Sequence, residues 1–231
     1  MSLPVFFQEE ISHQPSFSLT EETSKHVVQV LRMKQGEQLQ LTNGKGEIIT
    51  AEIIREHKKA TEIKVISISN IPHRTAHLTI AISLVKNNSR FEWFLEKATE
   101  IGVSDIIPLI CERTEKQTFR HDRMKNILVS AMLQSRQAWL PTLHQPTKFN
   151  EVIKTSQQNK FIAYCDEEEK TLINVQTINP SAIILIGPEG DFTTHEIALA
   201  VKNEFVPVSL GSTRLRTETA GVVACVLLNR R

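Results

Sequence analysis

Two short stretches of this chain combine residue types that could do chemistry. The first, Gly187-Pro188-Glu189-Gly190-Asp191-Phe192, follows the apolar run Ala182-Ile183-Ile184-Leu185-Ile186 without a break. Its glycines let a ligand approach the backbone closely, and Pro188 stiffens the loop. The second, Leu210-Gly211-Ser212-Thr213-Arg214-Leu215-Arg216-Thr217-Glu218-Thr219-Ala220-Gly221, runs straight into Val222-Val223-Ala224-Cys225-Val226-Leu227-Leu228. Charged groups entering a buried region are costly unless paired with each other or with a ligand. The residues leave two readings open for each stretch. The first is a well-capped turn or a ligand wall; the second holds an internal Arg216 to Glu218 ion pair or a pair facing a polar substrate. Neither contains G-x-G-x-x-G or the Gly-Lys-Ser/Thr of a P-loop, which argues against NAD and ATP.

Both stretches leave a strand and enter a helix, the place where open α/β sheets hold ligands. Thr193 and Glu196 have capping-box spacing for the helix after the first stretch. Upstream, Leu78 to Leu84 reads as a strand. Ser89 with Glu92 forms a second capping box, and Phe91, Phe94, Leu95, Ala98 and Ile101 mark one helical face that Gly102 stops. Asp105 to Ile110 is the next strand, and Asp122 to Ala138 a helix ending before Pro141. Phe161 to Cys165, Ala182 to Ile186 and Phe205 to Leu210 are further strands, the last two each followed by a helix. This alternation predicts a parallel sheet covered by helices. The nearly all-apolar final helix is expected to be buried on every side, under other elements or against a second copy.

The first part has a different rhythm. Leu39 to Thr42, Gly46 to Ile54 and Ile63 to Ile68 read as strands, Asn43-Gly44 as a hairpin turn, and Glu21 to Met33 as one helix, together a small β-barrel. Pro72 breaks the pattern, dividing the chain into a barrel over 1–72 and an α/β domain over 73–231.

Composition sets limits on this picture. With 40% apolar and 23% charged residues the chain is an ordinary globular protein. No apolar run approaches the roughly 20 residues that cross a bilayer, and Met1 to Gln8 lacks the features of a secretory signal, so a cytosolic protein without membrane contact is expected. Cys111, Cys165 and Cys225 read as buried reduced thiols, and no Cys or His spacing suggests a metal site. Formal charge is only +1, so any nucleic-acid surface must be local. Arg113, Lys116, Arg120, Arg123, Lys125 and Arg136 form such a local excess, which is either a solvated face or a phosphate-binding one. Arg32, Lys34, Lys45, Lys86 and Arg90 could extend it. Phe119 and Trp139 either stack on bases or pack internally.

Gly-Pro-Glu-Gly-x-Phe after a strand, then Leu-Gly-x-x-x-Leu-Arg-Thr-Glu-Thr-Ala, together with Glu96-Lys97-Ala98-Thr99-Glu100-Ile101-Gly102-Val103, resemble the RsmE family of ribosomal RNA uridine N3-methyltransferases, which belong to the SPOUT class. His26-Val27-Val28-Gln29-Val30-Leu31-Arg32 and Gly44-Lys45-Gly46 are similar to that family's PUA-like RNA-binding barrel. The resemblance implies an α/β fold: a small N-terminal PUA-like β-barrel and a C-terminal SPOUT domain with a deep trefoil knot, assembled as a homodimer. It implies S-adenosyl-L-methionine as cofactor, no metal, and 16S ribosomal RNA of the small ribosomal subunit as substrate. An active member with another RNA target and a non-catalytic RNA-binding module are the alternatives.

Carried over position by position, the resemblance assigns Leu185, Ile186, Gly187, Pro188, Glu189 and Gly190 to one cofactor wall. Leu210, Gly211, Leu215, Arg216, Thr217 and Ala220 form the other. Catalysis falls to Arg216, donating to a uracil carbonyl, and Glu218, which orients Arg216 or accepts the N3 proton. Arg32, Lys34, Lys45, Lys86, Arg90, Arg113, Lys116, Arg120, Arg123 and Arg136 are the expected RNA contacts. The chain departs from the family pattern in four places: Asn87-Asn88-Ser89 lacks a glycine, Asp191 replaces a glycine, Ser212 replaces a proline, and Leu133-Gln134-Ser135-Arg136-Gln137 differs in the central helix.

Overall fold

Alternating apolar residues put Leu39 and Leu41, and then Ile49, Ala51 and Ile53, on one face of their strands. All five are buried in the computed structural model, which describes residues 3–73, 77–115, 118–165 and 181–229. The first part comprises β1 (Val5–Phe7), β2 (Ser16–Ser18), α1 (Glu21–Lys25), a π-helical turn (His26–Val30), β3 (Gln38–Thr42), β4 (Glu47–Arg55) and β5 (Glu62–Asn70). The strands form one sheet in the order β1-β3-β4-β5-β2, closed over Phe6, Leu19, Val27 and Ile63. The single helix expected over 21–33 is instead a short α-helix continued by the π-turn. Leu31 N–H donates to His26 O across five residues, and Arg32 then turns left-handed at φ 56°. Val30, the last residue of the π-turn, is 67% exposed.

The second part runs β6 (His77–Ser83), α2 (Asn88–Ile101), β7 (Asp105–Ile110), α3 (His121–Gln134), β8 (Thr142–Leu143), β9 (Thr147–Lys148), α4 (Phe149–Val152), β10 (Asn159–Ala163), β11 (Ser181–Ile186), α5 (Thr194–Lys202), β12 (Val206–Val208) and α6 (Thr217–Leu228). Every pairing in its sheet is parallel, in the order β12-β10-β11-β6-β7-β8, with β9 also on β7. The central strands β6 and β11 are buried almost throughout, as a parallel sheet covered on both faces requires. No helix among the described residues is long and apolar enough to cross a membrane.

Several expected boundaries move for identifiable reasons. Asn87, not Ser89, caps α2, its Oδ1 accepting from Ser89 N–H at 2.9 Å. Glu92 is drawn to Arg123 instead, with contacts of 2.7 and 3.1 Å. At the far end Gly102, at φ 96°, stops the helix as expected. Helix α3 ends at Gln134 rather than Ala138, where Gln137 N–H turns back to Met132 O and Arg136 takes φ 55°.

By packing, residues 1–73 and 132–140 make one unit, and 74–131 with 141–231 another. The segment after α3 is pinned to the β3–β4 hairpin: Gly46 N–H donates to Ala138 O at 2.9 Å and Leu140 N–H to Gly44 O at 2.8 Å. Trp139 Nε1–H donates to Ile71 O at 3.0 Å. A Cβ at Gly46 would lie 2.4 Å from the Trp139 ring, so this position admits only glycine. Trp139 therefore packs internally. So does Phe119, edge-on to Phe91 with ring centroids 6.1 Å apart.

Helix α6 is not buried all round. Thr217, Glu218, Gly221, Ala224, Cys225 and Leu228 form its buried face, while Val226 is 55% exposed. The buried face lies on α2 and β6, and contact is closest at Gly221, where a Cβ would sit 2.6 Å from the Phe94 ring and 2.8 Å from Ile82 Cδ1. Overpacking of this kind costs about 1–3 kcal/mol. Gly221→Ala is therefore expected to lower the melting temperature by several degrees, measurable by thermal denaturation; an unchanged melt would show that α6 has room to shift.

Candidate active site

Strands β10, β11 and β12 are parallel neighbours, so their C-terminal ends emerge along one edge of the sheet. The loops leaving them, 164–165, 187–193 and 209–216, enclose a cleft of about 750 Å³, within the range of small-molecule sites. Of the expected wall residues, Ile186, Gly187, Pro188, Glu189, Leu210, Gly211, Leu215, Arg216, Thr217 and Ala220 line it. Leu185 does not. The alternation of β11 turns it into the apolar core beside Ile183, Phe192 and Phe205. Gly190 also faces elsewhere, its carbonyl accepting from Arg113 Nη1 at 2.6 Å.

The cleft also contains residues that sequence reasoning missed. Tyr164 and Cys165 continue β10 along its floor, and among the described residues Arg90, Ser209, Ser212, Thr213, Arg214 and Asp191 also line it. Nothing in the sequence announces that β10 lies between β11 and β12, so its exit could not be assigned to the site. Cys165 is exposed there, contrary to the expectation of a buried thiol, whereas Cys111 and Cys225 are buried and burial pushes both thiols well above their ordinary range.

Helix α5 begins as its sequence predicts, with the Thr193–Glu196 capping box formed. Helix α6 does not. Glu218, buried in its first turn, pairs with Arg90 rather than Arg216. Arg90 Nε donates to Oε1 at 2.7 Å and Nη2 to Oε2 at 2.6 Å, a bidentate pair, while Nη1 donates to Glu189 across the cleft mouth. A cation in the first turn of α2 opposes that helix dipole, and the two carboxylates offset the penalty. Burial pushes the Glu218 carboxyl upward. The hydrogen bonds from Arg90 and from its own backbone N–H, and the charges of Arg90 and Arg216, outweigh that effect, and the group is held below the usual carboxylate range. Arg90 is correspondingly raised. Arg216 itself stands exposed at the rim as the N-cap residue of α6.

The expected RNA contacts divide in the same way. Lys34 is paired with Glu56 at 3.1 Å, Lys86 with Glu115 at 2.9 Å and Arg123 with Glu92 at 2.7 Å. Arg90 and Arg113 are held as described. Arg32, Lys45, Arg120 and Arg136 are exposed and, among the described residues, have no carboxylate partner. Lys116 lies outside the described residues. Of the departures from the family pattern, Asn87 serves as the α2 cap and Asp191 occupies a left-handed turn at φ 61°. Nothing in the structure explains Ser212.

The same architecture recurs in known proteins. A family model for an RNA methyltransferase domain matches residues 72–229, and one for an RNA methyltransferase PUA domain matches residues 19–66. The ribosomal RNA small subunit methyltransferase E of Synechocystis is 30% identical over 94% of this chain and 73% of its own length, and that of Bacillus subtilis 25% identical over 94% and 91%. A probable rRNA-methyltransferase from Porphyromonas gingivalis superposes with a TM-score of 0.88 at 35% identity, covering 97% of this chain and 96% of that one. The ribosomal RNA small subunit methyltransferase E from Neisseria gonorrhoeae, bound to S-adenosyl methionine, superposes at 0.87 with 26% identity and the same coverage of 97% and 96%.

The buried pair makes stability depend on pH. Because Glu218 titrates lower in the fold, its pairing stabilises the protein fully above the unfolded carboxyl value of about 4.3, and that contribution disappears as the pH falls through the lower folded value. Arg90→Ala, which strands the Glu218 carboxylate, should cost about 3 kcal/mol at pH 7 and leave a flatter acid limb in stability-against-pH curves. Parallel curves for the variant and the parent would mean that the pair does not set acid stability.

Proposed function

This chain belongs to the RNA methyltransferase family, among its ribosomal RNA small subunit methyltransferase E proteins, and from that premise we propose that it methylates N3 of a uridine in 16S ribosomal RNA with S-adenosyl-L-methionine. The observation that carries the reading is the cleft at the ends of β10, β11 and β12, in a chain alike from end to end to a relative bound to that cofactor. The cleft residues fit the group. Gly187 and Gly211 leave backbone accessible on the two walls, Ile186, Leu210 and Leu215 offer apolar surface, and Arg214 and Arg216 stand beside them. Bound there, the cofactor supplies a methyl group on a sulfonium, ready for in-line displacement without a metal.

The chain's own residues must then orient the uracil and manage the charge that develops as the N3 proton passes to solvent water. Arg216, exposed at the rim, donates to a carbonyl oxygen flanking N3 and stabilises the developing anion. Glu218 is a strut rather than a base: both its oxygens are occupied by Arg90, and its carboxyl is held ionised. It fixes the start of α6, and with it the backbone that presents Arg216. Arg32, Lys45, Arg120 and Arg136, exposed without carboxylate partners among the described residues, are the cations left for phosphates.

The same reading includes a deep trefoil knot, a homodimer and a cytoplasmic site of action on the small subunit. The knot is supported by the course of the chain, which returns from edge strand β12 past β10 and β11 to seat α6 on β6. The dimer is supported by large apolar side chains left exposed on both helices, Trp93 at 43% on α2 and Val226 at 55% on α6. A two-fold interface would cover both.

Three results are expected. The protein with S-adenosylmethionine should generate N3-methyluridine in small subunits from cells lacking the enzyme, read by nucleoside mass spectrometry; cofactor binding without methylation would redirect the search to another RNA. Arg216→Ala should lower turnover by about 10²–10³ while cofactor affinity stays within a few-fold. Replacing any one of the four unpaired cations should reduce the slope of log affinity for RNA against log salt by about 1, and an unchanged slope removes that residue from the interface.

A further inference from the structure

Strand β10 loses its ladder at Ala163, the last residue in register with Ile186 on one side and Val208 on the other. Tyr164 and Cys165 run on along the cleft floor beyond the end of that ladder, so the Cys165 N–H lies outside the sheet pattern. It finds its acceptor in a side chain from the neighbouring wall: Asp191 Oδ2 accepts from Cys165 N–H at 2.8 Å. The other oxygen, Oδ1, accepts from Phe192 N–H at 2.8 Å, and the Asp191 N–H itself donates to Pro188 O at 2.9 Å. The residue holds φ 61°, a conformation that aspartate tolerates better than most side chains. Its carboxylate is folded back against the first wall, 3.3 Å from the place a Cβ on Gly187 would occupy. One side chain thus ties the exit of β10 to the turn after β11, across two lining segments of a single cleft.

We propose that Asp191 is a positioning residue for the cofactor: its carboxylate sets the spacing between the Tyr164–Cys165 floor and the Gly187–Pro188 wall. The proposal rests on the methyltransferase reading of the cleft. Asp191 hydrogen-bonds to neither Arg216 nor the Arg90–Glu218 pair, which lie on α6 and α2. Its loss should therefore fall on cofactor affinity and spare RNA affinity and the chemical step.

The test uses the full chain with two substitutions. Asp191→Ala removes both acceptors, whereas Asp191→Asn keeps one amide oxygen in the same place. Binding of S-adenosylmethionine and S-adenosylhomocysteine is measured by calorimetry, and KM for cofactor and for small subunits is measured separately. Asp191→Ala is expected to weaken both ligands and raise the cofactor KM at least about tenfold, the weight of a lost hydrogen bond to a charged group. The subunit KM and kcat at saturating cofactor should stay within about twofold, inside the span of ordinary surface substitutions, and Asp191→Asn should recover part of the affinity. Unchanged cofactor affinity in Asp191→Ala overturns the proposal. So does a matched rise in both KM values with a loss of kcat, the pattern of general structural damage. Should Asp191→Ala not fold, an Asp191→Asn protein with parental cofactor affinity overturns it equally. Failure of the unsubstituted chain to bind either ligand would instead overturn the methyltransferase reading itself.

Discussion

A carboxylate buried at the first turn of α6 is the constraint around which the α/β unit is arranged. Glu218 cannot lie under the sheet edge unpaired, and Arg90 is the group that meets both its oxygens. To do so Arg90 must project from the first turn of α2, which Asn87 starts at the right place. Helix α2 must in turn lie close enough to α6 for Gly221 to touch Phe94. The same guanidinium reaches Glu189 on the loop after β11. One cation therefore locks together the two stretches that form the cleft walls, and each depends on the other for its position. Buried pairs of this kind add little net stability compared with an apolar contact, but they penalise wrong arrangements heavily.

Much of this was legible in the sequence, because the signals were local. The strand and helix periods, the Thr193–Glu196 cap and the stop at Gly102 need only neighbouring residues to be read. Local signals mark the two loops as strand-to-helix connections, while the residues of the two walls come from the family resemblance. The partner of Glu218 could not be read locally, since Arg90 is 128 residues away and Arg216 is only two. Proximity in sequence suggested the nearer arginine, yet a residue two positions off points to a different side of a helix start. Leu185 and Gly190 turn away from the cleft because a motif marks only a stretch: the alternation of β11 sends Leu185 into the core, and the Gly190 carbonyl is taken by Arg113. The π-turn at His26–Val30 had no sequence signal, and its insertion shortened the expected helix.

The distribution of charge follows from the fold as well. A nearly neutral chain can still present cations to a polyanion if its acidic groups are engaged internally. Here Glu189 and Glu218 are committed to Arg90, and Glu196 to the α5 cap. Arginines at the rim of the cleft are thereby left to the solvent side.

The distance along the chain between the two halves of the buried pair also bears on how the protein is made. A contact spanning 128 residues carries a large loop-closure entropy, and a parallel sheet ordered β12-β10-β11-β6-β7-β8 contains many such contacts. During synthesis β6 and α2 leave the ribosome long before α6, so Phe94 and Ile82 wait uncovered until the helix that buries them is available. The contact of α6 with α2 and β6 is therefore among the last the chain can make, and the cleft wall that α6 carries forms no earlier than that contact.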